Sequence, residues 1–328
     1  MHHGVMERPK RYLSGIQPSG ELHLGNYFGA MRQHIAHQHQ GNSYYFIANY
    51  HALTTVHDAA KLRAMTFDVA ASYLAFGLDP TRAVLFRQSD VPEVTELAWL
   101  LSTVCAMGLL QRAVSFKDKL EQGFEPKVGL FTYPVLMAAD ILAYDSTTVP
   151  VGQDQVQHLE ITRDLVTAFH AIYGEVFVRP EPLLGEAPLV PGLDGLKMSK
   201  SYGNTIPLMA AGKALKERIN RIVTDSTPLE DPKDPDTRVA FKLYSLFATP
   251  EERAVMADKY RAGGFGDGHA KVELRAKIEE VFADARTRRA HLDAHPDEVE
   301  DVLREGAHKA REVARATLDR ARRAVGLA

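Results

Sequence analysis

The chain has 328 residues, enough for one large domain or two ordinary ones, and its 45% apolar and 25% charged content allows a proper core. A formal charge of -3 excludes a protein that coats nucleic acid through bulk charge, but not one that binds RNA through a local basic face. The single cysteine, Cys105, excludes an intramolecular disulfide and a cysteine metal cluster, and no apolar run of about 18 residues marks a membrane span.

Residues 1–10 include His2 and His3 but no apolar core of a secretion signal, so the expected location is the cytoplasm. Further along, residues 12–16, 44–48, 83–86 and 147–151 are short apolar runs that read as buried strands. Between them, residues 59–76, 92–107 and 133–144 carry apolar positions at helical spacing. Alternation of this kind predicts a parallel sheet with helices on both faces, and ligands in the loops after the strands. From about residue 206 the strands stop. Residues 208–223, 238–247, 250–262, 269–293 and 296–325 read as helices, punctuated by Pro228, Pro232 and Pro235 and by Gly263, Gly264, Gly266 and Gly268. The expected architecture is α/β: a Rossmann-like, doubly wound parallel sheet over residues 1–205, then an all-helical domain over 206–328 whose last helix is free to pack back on the first.

Two segments carry phosphate chemistry. Residues 14–26, with Gln17, Pro18, Ser19, His23, Gly25 and Asn26, leave the first strand, turn through Gly and Pro, and enter a helix at about Leu24. A helix start offers backbone N–H groups and a positive dipole end to an anion, and Gly25 has no side chain to hold a base away. An ordinary strand-to-helix turn is the plain alternative. The second segment is Lys197-Met198-Ser199-Lys200-Ser201, flanked by Gly192, Gly195 and Gly203. Two lysines three apart in a glycine-rich loop can reach one polyphosphate, though an exposed lysine pair is commonly just a solvated face. A third feature is Asp140, alone in the apolar run 134–142. A buried carboxylate needs a partner, and a ligand N–H is one; a surface aspartate or an internal cap is an equal reading of the residues alone. His37 and His39 alternate on a polar helix end with no acidic or cysteine partner, which predicts a solvated face and no metal site.

His23-Leu24-Gly25-Asn26 resembles the HIGH motif, and Lys197 to Ser201 the KMSKS motif, of class I aminoacyl-tRNA synthetases. The opening Gly15 to Gly20, the run from Thr132 to Ile141, and Gly152 to Gln155 followed by His158 and Thr162 to Asp164 are similar to the bacterial tryptophanyl branch of that family. The resemblance implies activation of L-tryptophan by ATP with Mg2+, transfer to tRNA(Trp), a homodimer, and a helical domain that receives the anticodon. It also implies roles for residues. Gln17, Pro18, Ser19, Gly25 and Asn26 fall to ATP, with His23 near the phosphates. Lys197, Lys200 and Ser199, within the loop that includes Met198 and Ser201, hold the departing pyrophosphate, and Lys119 matches a third lysine of that task. Gly152, Gln153 and Asp154 match the segment at the ribose, and Val190 a backbone contact to adenine. Asp154 reads equally as a helix cap, with Gln157 completing a capping box.

For the amino acid, the resemblance implies Asp140 as acceptor of the indole N–H, in a pocket with Tyr133, Met137, Gln155 and His51. Gly15 lets the substrate lie against the first strand. An N–H can only donate, so a site built on a carboxylate rejects phenylalanine by leaving the acid unpaired. Three positions depart from the family: Leu13 where an aromatic commonly stacks on indole, Asn49 where an aspartate stands, and Gln153 where an acid stands. Tyrosine activation, and a divergent paralogue with weak charging and a regulatory or binding role, are the alternatives. Arg304, Lys309, Arg311, Arg315, Arg320, Arg322 and Arg323 on the last helix form a basic stripe that can meet phosphates or stay paired within the helix.

Overall fold

The structure is a computed structural model that describes residues 10–39, 42–113, 121, 123, 125–152, 155–184 and 188–328. Its strands are β1 (Arg11–Ile16), β2 (Asn42–Ile47), β3 (Ala83–Arg87), β4 (Thr148–Val151) and β5 (Glu181–Leu184). They form one sheet in the order β3-β2-β1-β4-β5, with every neighbouring pair parallel. Four strands lie where the apolar runs place them. The fifth was not legible because Pro180 and Pro182 interrupt its pattern; Pro182 cannot donate to a ladder and is tolerated at the sheet's edge.

The chain builds outward from β1 to β3 on one side, then returns to place β4 on the other. The crevice at the carboxyl ends of β1 and β4 is therefore the topological switch point. Side chains of β2 alternate between two cores, as strand geometry requires. Tyr45 and Ile47 join a core shared with Leu24, Phe28 and Tyr73 that runs on into Ile206, Tyr260 and Leu274 of the helical region. Tyr44 and Phe46 face a second core with Leu13, Phe86, Val135 and Leu165.

Helices Ala59–Ala75, Glu93–Ser102 and Val128–Ala143 occupy the predicted positions, the last starting earlier than its pattern suggests. The run 269–293 is two helices, Asp267–Val281 and Ala283–Ala294. They part at Phe282, whose ring is buried against Phe76 at 4.8 Å, Tyr27 at 5.1 Å and Phe247 at 5.4 Å. Aromatic packing of this kind outweighs the small helix propensity lost at one position.

The terminal helix, Pro296–Val325, has Pro at its start, Asp297 and Glu298 in its first turn, Arg322 and Arg323 in its last, and left-handed Gly326 as its cap. It lies against β3 so closely that a Cβ on Gly306 would sit 1.9 Å from the carbonyl oxygen of Leu85. Ala307, Ala310, Ala314, Leu318 and Ala321 join the second core. Within the basic stripe, Arg304 and Lys309 pair along the helix with Asp301 and Glu305, as one of its two readings has it, whereas four arginines pair across to the packed surface. Arg311 and Arg315 both reach the buried Glu93, at 2.9 Å each, and Arg322 reaches Glu96 at 2.6 Å. Arg320 pairs with Asp145. The partners lie on other elements, which residue spacing within the helix could not reveal. No helix among the described residues is long and apolar enough to cross a membrane.

Candidate active site

The switch point is a cleft of about 510 Å3. It collects all the predicted amino-acid residues: Gly15 from β1, His51 from the short helix Asn49–Ala52, Tyr133, Met137 and Asp140 from one helix, and Gln155 beyond β4. Met137 and Asp140 stand three apart in a helix, so they share a face. Tyr133 donates to, or accepts from, His158 at 2.8 Å.

Asp140 is 1% exposed, which excludes the surface reading, and its contacts exclude a cap. His51 Nε2 lies 2.8 Å from its Oδ2, and the Gln88 amide donates to Oδ1 at 2.9 Å and Oδ2 at 2.8 Å. Gln88, fully buried in the turn after β3, accepts the Tyr50 N–H at 2.9 Å. Burial pushes the Asp140 carboxyl above the ordinary aspartate range, and the bonds from His51 and Gln88 pull it back. An ionised carboxylate offers about four lone-pair sites, so it can hold these neighbours and accept one more donor. Sequence reasoning missed Gln88. The available signal was a glutamine at the carboxyl edge of a buried strand, where ligand loops begin.

Gly15 lies opposite Phe46 on the neighbouring strand. A Cβ on Gly15 would come within 2.4 Å of Phe46 Cζ, so the space this glycine opens is taken by the tip of that ring, not left bare for a ligand. Phe46 and Leu13 both line the cleft. Asn49, one of the departures, does not. Its amide donates to Ser89 Oγ at 2.7 Å and accepts the Ser89 N–H at 3.0 Å, tying the ends of β2 and β3.

On the nucleotide side, Gln17 and Gly152 line the same cleft. The helix start after Gln17 is less open than its sequence suggests. The Leu24 N–H donates to Ile206 and the Asn26 N–H to the His23 carbonyl, while Asn26 Oδ1 accepts the His23 N–H at 3.1 Å. The short helix Leu24–Asn26 passes into a π-helical turn, Tyr27–Met31. The room at Gly25 is filled by the His23 imidazole, 2.8 Å from where a Cβ would stand. Burial, then the charge of Lys200, lowers the His23 pKa to about 4, so the ring is neutral at physiological pH. Its buried Nδ1 has no hydrogen-bond partner among the described residues.

The lysine loop is braced from inside. Met198 is buried and its N–H bonds the Val190 carbonyl at 2.9 Å, so that carbonyl already holds one donor. Asn204, also buried, accepts the Ser199 N–H at 2.8 Å and donates to the Lys197 carbonyl at 3.1 Å and Asp194 at 2.8 Å. A Cβ on Gly192 would strike the Asn204 amide at 2.1 Å, which accounts for that glycine. Asn204 is a second residue that motif reading passed over. Lys197 is exposed, Ser199 and Ser201 join their hydroxyls at 2.8 Å, and Lys200 reaches back to Ser19 Oγ at 3.5 Å beside Pro18. Burial lowers the Lys200 pKa, with Asp68 and Glu21 opposing. Lys119, Gln153 and Asp154 lie outside the described residues.

A switch-point cleft with a buried carboxylate at one part of its wall and a lysine loop folded toward its first turn matches a known class. Residues 6–283 match the model for class I tRNA synthetases (W and Y), and the chain belongs to that family. Within it, the chain is 56% identical over 318 residues to the tryptophan–tRNA ligase of Rhodopirellula baltica, covering 97% of this chain and 99% of that one. It is 53% identical to the ligase of that name from Fusobacterium nucleatum, covering 97% and 98%. The crystal structure of tryptophanyl-tRNA synthetase from Campylobacter jejuni complexed with ADP and tryptophan superimposes with a TM-score of 0.93. It is 45% identical, and the match covers 97% of this chain and all of that one.

Proposed function

We propose that this protein activates L-tryptophan with ATP and loads it onto tRNA(Trp). The tryptophan carboxylate attacks the α-phosphorus of ATP, the bond to the β-phosphate oxygen breaks, and pyrophosphate leaves. A hydroxyl of the terminal tRNA ribose then attacks the acyl carbon, and AMP departs. The observation that carries the substrate is Asp140, a fully buried carboxylate in an apolar cleft, oriented by His51 and Gln88. Indole presents one polar atom, an N–H donor, and Asp140 presents an acceptor.

The first step needs in-line positioning and charge neutralisation more than a nucleophile from the protein. Gln17 and Gly152 take the nucleotide at the cleft's mouth, with Pro18, Ser19, Gly25 and Asn26 beside them and Val190 along the adenine. Lys200, bridging to Ser19, and Lys197 meet the charge that grows on the leaving pyrophosphate, assisted by Ser199 and Ser201. The neutral His23 hydrogen-bonds to phosphate without adding charge. Lys119 is a third cation of the same task, and Gln153 and Asp154 hold the ribose. Tyr133, Met137 and Gln155 complete the amino-acid pocket, and Gly15 serves it by making room for the Phe46 ring in the wall. Mg2+ would enter with ATP and supply charge neutralisation at the phosphates; of the two phosphate segments only the first contains a carboxylate, Glu21.

The protein works in the cytoplasm as a homodimer. Trp99, its single tryptophan, is 69% exposed on a helix, and Met107 and Val128 are also bare. Sedimentation should give twice the chain mass, with Trp99 fluorescence shifting to the blue as the dimer forms. The reaction is tested by ATP–pyrophosphate exchange with Mg2+ across amino acids. Tryptophan should support exchange well above tyrosine. Exchange with tyrosine alone would transfer the assignment to tyrosine activation, and exchange with no amino acid would point to a binding protein.

A further inference from the structure

We propose that Phe46, on β2, is the aromatic wall against which the indole ring lies, replacing the aromatic that Leu13 lacks. The inference rests on the tryptophan reading above. Leu13 and Phe46 are both buried on the same face of the sheet, both border the cleft, and belong to neighbouring strands paired in parallel register. Phe46 sits two residues further along the pairing, opposite Gly15. Its Cζ and both Cε atoms lie 2.4 to 2.9 Å from where a Gly15 Cβ would stand, so the ring tip crosses β1 at the residue after next from Leu13. One ring thereby reaches the part of the pocket that β1 would otherwise furnish.

Gly15 is the condition for this arrangement. Any side chain there forces the Phe46 ring away, and the atoms it meets are the end of a short, stiff aromatic rather than a flexible chain. On its other side Phe46 is backed by Phe86, with centroids 6.1 Å apart and planes 30° apart. The ring is therefore supported from behind and presents its remaining surface to a cavity that also contains Asp140 and Met137. Aromatic pairs gain stabilisation beyond their buried area, which an aliphatic wall does not supply. Phe46 is thus a specificity residue: Asp140 selects for a donor, and Phe46 for a broad planar ring.

The test compares wild type with Phe46→Leu and the exchange Leu13→Phe/Phe46→Leu in ATP–pyrophosphate exchange. Phe46→Leu should raise the tryptophan KM about tenfold while the ATP KM moves less than about twofold. Moving the aromatic to position 13 should recover most of the loss. Thermal unfolding of each variant separates a folding defect from a binding defect. An unchanged tryptophan KM in folded Phe46→Leu, or an equal rise in both KM values, overturns the proposal. If wild type itself shows no tryptophan-dependent exchange, the tryptophan reading fails instead.

Discussion

The ammonium of Lys200 lies 3.5 Å from the hydroxyl of Ser19, joining two segments 181 residues apart. This contact ties the lysine loop to the turn after β1, and under the proposed function it holds the cation beside the segment assigned to ATP. Lys200→Ala should lower the rate constant for activation by about 10²–10³-fold and leave the tryptophan KM nearly unchanged, because the charge it meets grows in the transition state. Single-turnover adenylate formation measures it. A rise in KM at constant rate would assign Lys200 to ground-state binding only.

Asp140→Ala should raise the tryptophan KM by about 10- to 100-fold and the ATP KM far less, matching the loss of one charged hydrogen bond in a buried site. Gln88→Leu should move the same parameter in the same direction with a smaller amplitude, since it removes the group that bonds both oxygens of the carboxylate. It should also cost about 1–3 kcal/mol of stability by leaving the Tyr50 N–H without its partner. Exchange kinetics and chemical denaturation check the two effects separately.

Arg311→Ala and Arg315→Ala should weaken the attachment of the terminal helix rather than tRNA binding. Both guanidiniums meet Glu93, but they are partly exposed, so each loss is expected at only about 0.5–1 kcal/mol. Hydrogen exchange should show faster opening across Pro296–Val325 in the double variant. An undiminished helix with a higher tRNA KM would restore the phosphate role to these residues.

His34 is fully buried, bonded to the Tyr73 hydroxyl at 2.9 Å, and its pKa is lowered to about 3 by burial and, secondarily, by His37. The unfolded chain takes up a proton near pH 6.5 that the native ring refuses. Stability should therefore fall as pH drops from about 6.5 toward 3, with this residue contributing a slope of about 1.4 kcal/mol per pH unit between those limits. His34→Gln, which keeps a hydrogen bond but cannot titrate, should flatten the profile by that amount in denaturation curves at pH 5 and 7.

His23 offers a contrast between sequence and surroundings. From sequence it is a donor at a helix start; packed over Gly25 and beside Lys200, it is a neutral ring. The lysine loop was legible as a phosphate motif from its residues, but its brace, Asn204, was not, because its bonds to Ser199, Lys197 and Asp194 depend on how the loop turns.

The amino-acid sequence by itself determined the alternation of strand and helix, the two phosphate motifs and the anomaly of one acid in an apolar helix, since each depends on residue type and local spacing. Tertiary structure alone decided which distant groups meet. It brought Gln88 and His51 to Asp140, turned Phe46 over Gly15, and set the arginines of the terminal helix on Glu93 and Glu96. Periodicity reports which face of an element is buried, but the partner on the other side of that face is chosen only when the sheet assembles and the chain returns to it.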